Sequence, residues 1–333
     1  MIFKKRECVE YNPDNLYLSV PIFIKKKRSW KKTIKNTVIG IVICIFFSLL
    51  LIPPIVMEKI LKAPVIFEEI YSPEDFNINA TELNLTTSDK VDIEAYEVYI
   101  KSPYAVVVFL SDIQGPSVSA FYEQARVLKE NGYGSILCEM RAHGKSGGDK
   151  ICLGYKEYLD IEAVIDYIKS QSKYKNTPIV LCGASMGGAA AINASGEING
   201  IDGLISIGTY SSWEDNFCDK ISELGVPHFI SNLEKPFIKA YLILKYGTSV
   251  NKVIPEKEIE KLKDIPTLLV HSKEDKEVPY SNFTRLMKKA PKHVEGVTKE
   301  GDLHLLTEDV IDKTIKDEYM DTIMEFLNKN FSN

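Results

Sequence analysis

Short apolar runs alternate with amphipathic stretches over most of the chain. Five of these runs are predicted to be strands, at 105–110, 134–140, 178–183, 201–208 and 266–271. Runs that are apolar at nearly every position are typical of strands buried on both faces. Helices are predicted between and after them, at 117–131, 154–172, 186–197, 280–290 and 312–329. The alternation predicts an α/β fold with a mostly parallel central sheet and helices on both of its faces.

Other segments depart from this rhythm. Residues 80–87 and 91–100 alternate polar and apolar positions, which predicts an antiparallel hairpin, and 293–298 is a weaker strand candidate. Residues 209–262 interrupt the alternation and contain seven aromatic side chains. We interpret 209–262 as a helical cap inserted into a domain that covers 76–330. Its aromatic side chains either contact an apolar substrate or form the core of the insertion itself.

The segment 37–57 contains 21 residues without a charge. At about 1.5 Å per residue in a helix, it spans roughly 30 Å, the thickness of the hydrocarbon layer of a membrane. A buried core helix is one alternative, although a core helix of this length usually has a polar face. A cleaved signal peptide is the other, but 36 residues precede the run and no small-x-small cleavage site follows it. We predict one transmembrane helix that acts as an uncleaved signal-anchor.

Charge is distributed unevenly about this segment. Residues 1–57 carry ten Lys/Arg and three Asp/Glu, whereas 58–333 carry 31 against 43. Seven of the cations lie between Lys25 and Lys35, and cations next to a membrane span stay on the cytoplasmic side. We therefore predict a cytoplasmic basic tail at 1–36, a linker at 58–75 and an extracytoplasmic domain on the cell membrane. The acidic domain excludes nucleic acid as a partner, because phosphate binding requires a basic surface.

A G-x-S-x-G sequence lies at 183–187, between a predicted strand and a predicted helix of small residues. This setting is typical of a nucleophile elbow, in which a serine occupies a strained turn that exposes its hydroxyl. The turn closes only if the residues two positions before and after the serine are small, as Gly183 and Gly187 are. Ser185 is therefore the predicted nucleophile. The alternative is a tight strand-to-helix turn whose serine has no chemical role.

A serine hydroxyl needs a base, and the base needs a carboxylate that orients it. Sites of this kind order the three residues as serine, acid, histidine along the chain. His304 lies after the last predicted strand and is the predicted base, with His271 as its competitor. Asp275 is the predicted acid because it follows a predicted strand, at the end where catalytic groups of parallel sheets gather. The alternatives for the acid are Glu274 and Asp302.

Cleavage of an acyl bond also needs backbone N–H groups that stabilise a tetrahedral oxyanion. Met186, directly after the serine, is one predicted donor. The second is expected in the loop after the first parallel strand, at 111–116, where we favour Ile113.

Together these stretches resemble the α/β-hydrolase superfamily over 76–330, and within it bacterial membrane-anchored lipase- and esterase-like serine hydrolases. The resemblance rests on SDIQGP at 111–116, RAHGKSGG at 141–148, GASMGG at 183–188, HSKEDKEVP at 271–279 and the His304 loop. In such members the RAHGKSGG turn is structural, so His143 is not assigned to catalysis. Many relatives carry His-Gly where this chain has Ser111 and Asp112. Glycine there allows a positive φ, which Asp tolerates better than most residues, but a carboxylate near an oxyanion is unfavourable.

The resemblance implies a serine hydrolase that cleaves an ester or related acyl bond through a Ser185–His304–Asp275 triad and an acyl-enzyme. It implies a small-molecule acyl substrate and no metal or organic cofactor. Two alternatives stay open. One is a catalytically weak surface binding protein on the same fold, for which Asp112 is the motivating feature. The other is a peptidase or acyltransferase, which would differ in the acceptor and in the shape of the cap.

Overall fold

The computed structural model describes residues 29–304 and 318–332. The chain divides into two units, Met1–Phe47 and Ser48–Asn333, and the sheet belongs to the second. Helix α1 runs from Trp30 to Ile60 and contains two prolines near its end. It is long and apolar enough to cross a membrane, and it extends beyond the predicted 37–57 at both ends. Residues 1–28 of the predicted basic tail lie outside the described residues.

Eight strands form one sheet. They are β1 (Thr81–Thr86), β2 (Asp92–Val98), β3 (Val106–Leu110), β4 (Gly134–Cys138), β5 (Ile179–Ala184), β6 (Gly203–Ile207), β7 (Thr267–Ser272) and β8 (Val294–Lys299). Their order is β1-β2-β4-β3-β5-β6-β7-β8. β1 and β2 form the predicted antiparallel hairpin, β2 pairs antiparallel with β4, and all remaining neighbours are parallel. The prediction of a mostly parallel sheet is confirmed, and every predicted strand overlaps an observed one.

The core lies on both faces of this sheet. Along β3, Val106, Val108 and Leu110 belong to one buried cluster, and Val107 and Phe109 belong to the other. Successive side chains of a strand point to opposite faces, so a run that is apolar throughout needs a cover on each side. Helices α3 (Tyr158–Ser170), α4 (Met186–Glu197) and α9 (Ser281–Lys289) cover the first face, and α2 (Tyr122–Glu130) and α10 (Glu318–Phe331) cover the second. Residues 312–317 of the last predicted helix lie outside the described part of the chain.

Four α-helices, together with short 3₁₀ turns, separate β6 from β7 in the segment expected to be an insertion. They are α5 (Trp213–Glu223), α6 (His228–Ser231), α7 (Lys235–Tyr246) and α8 (Pro255–Glu258). Tyr210 and Phe217 are buried in the core, whereas Phe229 is exposed. Some aromatic side chains of this segment are therefore part of the core, and at least one is exposed to solvent. Because the segment leaves the sheet at the end of β6, it starts at the edge where the parallel strands end.

Residues 58–75, predicted to be a linker, contribute side chains to the core of the second unit. Leu61 and Val65 are buried, and Val65 forms an isolated parallel bridge with His143. Met57, the last residue of the predicted membrane segment, is fully buried in the same cluster. The packed core therefore includes the end of α1 and the residues that follow it.

Candidate active site

Ser185 occupies the turn between β5 and α4. Its backbone has φ 51° and ψ −114°, which is a strained region for a residue with a side chain. The flanking glycines allow this turn to pack. A Cβ on Gly183 would overlap the backbone of Gly187. A Cβ on Gly187 would overlap the carbonyl oxygens of Leu110 and Ser111, so both glycines are needed for the reason inferred from the G-x-S-x-G spacing.

His304 and Asp275 form a hydrogen-bonded pair. His304 Nδ1 lies 2.7 Å from Asp275 Oδ2. The other carboxylate oxygen, Oδ1, accepts hydrogen bonds from the N–H groups of Glu277 and Val278, both at 2.9 Å. Asp275 is only 2% exposed. A buried carboxylate held in this way fixes the orientation of the imidazole and leaves Nε2 available for another partner.

The competing residues lie in different surroundings. Glu274 and Asp302 are both exposed, so neither is held against an imidazole. His271 is buried, and its Nε2 lies 2.8 Å from the carbonyl oxygen of Val278. Burial lowers the pKa of His271, which favours a neutral ring that donates to this carbonyl. His271 therefore supports the loop that carries Asp275.

Ser185 and His304 both lie against the backbone at the end of β6. The Ser185 N–H donates to the Ile207 carbonyl oxygen at 2.8 Å. A Cβ on the next residue, Gly208, would lie 3.0 Å from His304 Nδ1. Within the described residues, the His304 ring is bonded to Asp275 and not to the Ser185 hydroxyl. Bonds between catalytic groups are often long before a substrate binds. The sequence analysis did not assign Gly208 to the site, although Gly208 is the last residue of a predicted strand.

The charge state of His304 depends on its acidic neighbours. Burial opposes a positive charge on the ring. The hydrogen bond to Asp275, together with the negative charges of Asp275 and Asp112, outweighs burial and raises the pKa of His304 above its ordinary value. A raised pKa makes the neutral imidazole a stronger base.

The two predicted oxyanion donors differ in their present partners. Met186 begins α4, so its N–H belongs to the first turn, where backbone donors have no acceptor within the helix. The Ile113 N–H instead donates to Oδ1 of the Asp112 side chain. Asp112 does not take a positive φ, so the turn has no need of a glycine at this position. The carboxylate that departs from the family pattern therefore occupies one of the two predicted donors.

Two side chains that the sequence analysis did not assign to the site hold the oxyanion loop. His143 Nε2 lies 2.8 Å from the Ile113 carbonyl oxygen, and its Nδ1 lies 2.8 Å from the Arg141 carbonyl oxygen. Gln114 donates from Nε2 to the carbonyl oxygens of Ile60 and Lys62, at 2.9 and 3.1 Å. The structural role expected for the RAHGKSGG turn thus extends to supporting this loop.

The chain has similarities to known proteins. A family model described as serine aminopeptidase, S33, matches residues 101–236. The uncharacterized protein YqkD of Bacillus subtilis is 27% identical over 161 residues, which cover 47% of this chain and 51% of YqkD. The uncharacterized membrane protein YNL320W of Saccharomyces cerevisiae is 26% identical over 148 residues, which cover 42% of this chain and 49% of that protein. The chain thus spans about half the length of these relatives.

A solved structure has the same architecture. The Pyrococcus furiosus esterase Pf2001 matches with a TM-score of 0.61 at 20% identity, over 82% of this chain and 99% of the esterase. The chain has the α/β-hydrolase fold. Within this fold a strained serine, an imidazole and a buried carboxylate lie at the edge where the parallel strands end. This arrangement is chemically suited to acyl transfer, because it supplies a nucleophile, a base and an orienting acid.

Proposed function

We propose that this hydrolase cleaves an ester or related acyl bond through a Ser185–His304–Asp275 triad. The observation that carries the proposal is the 2.7 Å bond between His304 Nδ1 and Asp275 Oδ2, beside the strained turn of Ser185. Ser185 Oγ attacks the acyl carbonyl while His304 Nε2 takes the hydroxyl proton. Asp275 stabilises the imidazolium that forms. His304 then returns the proton to the leaving group, and water hydrolyses the acyl-enzyme by the same steps.

The oxyanion of this reaction would be stabilised by the N–H groups of Met186 and Ile113. The Met186 donor lies at the positive end of the α4 dipole, which favours a negative charge. The Ile113 donor becomes available only when the Asp112 carboxylate turns away. Removing one donor from an oxyanion hole costs about 10²–10³ in kcat, so the orientation of Asp112 has a large effect on the rate.

The substrate that we propose is a small acyl compound with an apolar acyl group. The insertion between β6 and β7 is rich in aromatic and aliphatic residues, and its exposed part includes Phe229. Neither a metal nor an organic cofactor is needed for the proposed steps.

Two other functions fit parts of the molecule. A binding protein with little turnover is favoured by the hydrogen bond between the Asp112 carboxylate and the Ile113 N–H. A peptidase is favoured by the description of the matching family as a serine aminopeptidase. An acyltransferase would use the same acyl-enzyme but pass the acyl group to an acceptor other than water.

The test uses the full chain purified in detergent with p-nitrophenyl esters of increasing acyl length. We expect turnover in the wild type and a loss of about 10⁶-fold in Ser185→Ala. Ser170→Ala, an exposed serine at the end of α3, is the matched control and should retain full activity. Turnover that survives in Ser185→Ala would reject the proposal.

A fluorophosphonate probe distinguishes the proposed enzyme from a binding protein with little turnover, because strong labelling of Ser185 excludes the binding protein. Comparing amide and thioester substrates with the esters tests the peptidase and acyltransferase alternatives.

We further propose that α1 is a transmembrane signal-anchor with a cytoplasmic N-terminus and an extracytoplasmic hydrolase domain. The support is the apolar length of α1 and the cations that precede its apolar part. A membrane-impermeant maleimide tests the orientation in intact cells. Lys175→Cys, at an exposed position of the domain, should react, whereas Cys8 should not; the reverse pattern would overturn the topology.

A further inference from the structure

The insertion exposes large apolar side chains within the stretch 224–244. Leu224, Phe229 and Leu244 are 84%, 75% and 87% exposed, and Ile230 and Leu233 are exposed as well. We call these five residues the cap face. These residues lie on or beside α5, α6 and α7, and α5 packs against both of the other helices. Soluble proteins rarely leave such a group of apolar side chains in water without a partner.

Helix α7 carries apolar residues on both of its sides. Ile238 and Leu242 are buried against the core. Ala240 and Leu244 are exposed, and residues four apart lie on one face of a helix. A surface helix of a soluble protein usually presents polar residues on its outer face. The outer face of α7 is therefore suited to an apolar environment.

Charges of both signs lie around the cap face. Lys235 and Lys245 pair with Asp215 and Glu58, and the exposed Glu223 precedes Leu224. Lys239 and Lys252 are exposed and lie outside these ion pairs. The stretch 224–253 contains four lysines and a single glutamate, in a domain whose acidic residues outnumber its basic ones by 43 to 31. The glutamate, Glu234, is buried, and Lys239 is exposed. Apolar side chains next to lysines are typical of segments that lie in the interface of an anionic membrane.

The end of α1 contacts α7 within the second unit. The apolar run ends at Met57, and Glu58 is the first charged residue after it. Glu58 Oε1 accepts hydrogen bonds from Tyr241 Oη at 2.6 Å and from Lys245 Nζ at 2.9 Å. Leu244 lies between these two residues in the sequence of α7. Tyr and Lys are also the residue types that anchor proteins at the membrane–water boundary.

The same end of α1 contacts the edge of the sheet that holds the active site. Gln114, in the oxyanion loop after β3, donates to the carbonyl oxygens of Ile60 and Lys62. The loop after β4 contacts this segment as well, through the bridge between Val65 and His143. The edge where the parallel strands end therefore lies next to the residues that leave the membrane segment.

From these observations we infer that the cap face docks on an anionic lipid bilayer, so that the active-site edge of the hydrolase lies at the membrane surface. The occupant of the cap face is the lipid headgroup and upper acyl region of the same membrane that α1 spans. The inference rests on the proposed transmembrane role of α1 but not on the proposed triad. Taken together with the proposed function, it identifies the membrane as the source from which an apolar substrate would reach Ser185.

The test uses the full chain with Cys8→Ser and Cys44→Ser, because the four remaining cysteines are buried. Single cysteines are introduced by Phe229→Cys or Leu244→Cys and labelled with an NBD fluorophore. Lys175→Cys, which is exposed in the turn before β5 at the opposite edge of the sheet, is the matched control. Each protein is reconstituted into vesicles of phosphatidylcholine and phosphatidylglycerol, with and without a spin-labelled phosphatidylcholine that quenches NBD on contact.

Docking predicts a blue-shifted emission and strong quenching at positions 229 and 244, and neither at position 175. Equal quenching at all three positions would overturn the inference. A blue shift at 229 and 244 without quenching would also overturn it, because a protein surface such as a second copy would then cover the cap face. Ser185→Ala should leave the quenching unchanged, so a failure of the catalytic proposal can be told apart from a failure of docking.

Discussion

The N–H of Ile113 donates a hydrogen bond to the carboxylate of Asp112, the residue directly before it. An oxyanion formed at Ser185 would need this same donor, and it would meet the negative charge of Asp112 if the side chain did not move. The candidate site therefore combines a hydrogen-bonded His304–Asp275 pair with a predicted oxyanion donor that is already occupied. If the proposed function holds, we expect the rate of turnover to depend on this contact.

Removing the carboxylate should increase the rate. We expect kcat in Asp112→Ala to rise by about tenfold or more, because a free oxyanion donor is worth about 10²–10³. Asp112→Asn removes the charge but keeps an oxygen that can accept from Ile113, so its gain should be smaller. Steady-state kinetics with a short-chain ester measures both. If Asp112→Ala is slower than the wild type, Asp112 assists the reaction and the proposed conflict is wrong.

The pH dependence of kcat/KM should report the raised pKa of His304. The base acts when it is neutral, so activity falls as the pH drops through this pKa, and the fall should begin at a higher pH than for an ordinary histidine. Asp112→Asn removes one of the charges that raise the pKa, so the acid limb should move to lower pH. Asp302→Asn is the control: it lies two residues from His304 in sequence but is exposed, and the limb should stay in place. An unmoved limb in Asp112→Asn would contradict the electrostatic coupling.

A glycine pair tests the packing behind His304. Gly208 and Gly225 both have a positive φ, 58° and 89°, so alanine costs about 1–2 kcal/mol of backbone strain at either position. A Cβ on Gly208 meets His304, whereas a Cβ on Gly225 meets open space. We expect Gly208→Ala to lose most of its kcat and Gly225→Ala to lose little, at similar losses of Tm. Equal kcat values in the two variants would show that the ring is not held against Gly208.

The choice between His271 and His304 as the catalytic base can be tested directly. Gln in place of His271 can still donate to the Val278 carbonyl, so His271→Gln should keep fluorophosphonate labelling of Ser185 within about tenfold of the wild type. His304→Gln removes the proposed base and should reduce the labelling rate by 10³-fold or more, given the size of triad effects. The reverse order of the two rates would assign the base to His271.

The sheet could be predicted because its strands are apolar at nearly every position and are separated by amphipathic helices. Helix α4 has the bounds predicted for it, 186–197. The turn at Ser185 fixes where the helix starts, and a run of small residues follows this turn. The steric need for Gly183 and Gly187 also followed from spacing alone. These features depend on local pattern, which the sequence carries directly.

Contacts between distant segments could not be predicted in this way. The packing of Val65 beside His143 joins residues in a mixed, weakly patterned segment to a turn far along the chain. The position of Gly208 against His304 likewise depends on how two loops meet. At Asp112 the residue type alone indicated that a carboxylate could lie near an oxyanion. Only the side-chain rotamer reveals that this carboxylate turns toward the Ile113 N–H. The triad itself stays a prediction that this geometry supports.

The burial of Met57 and the bonds from Gln114 to Ile60 and Lys62 have a practical consequence for shortened versions of this protein. A fragment trimmed at the apparent end of the membrane segment would lose a methionine from its interior, at a cost of about 2–5 kcal/mol if the gap does not close. A cut beyond residue 62 would also release Gln114 from both of its acceptors. We therefore expect fragments that begin beyond residue 62 to be less stable than the full chain and to hold the loop at 111–116 less firmly.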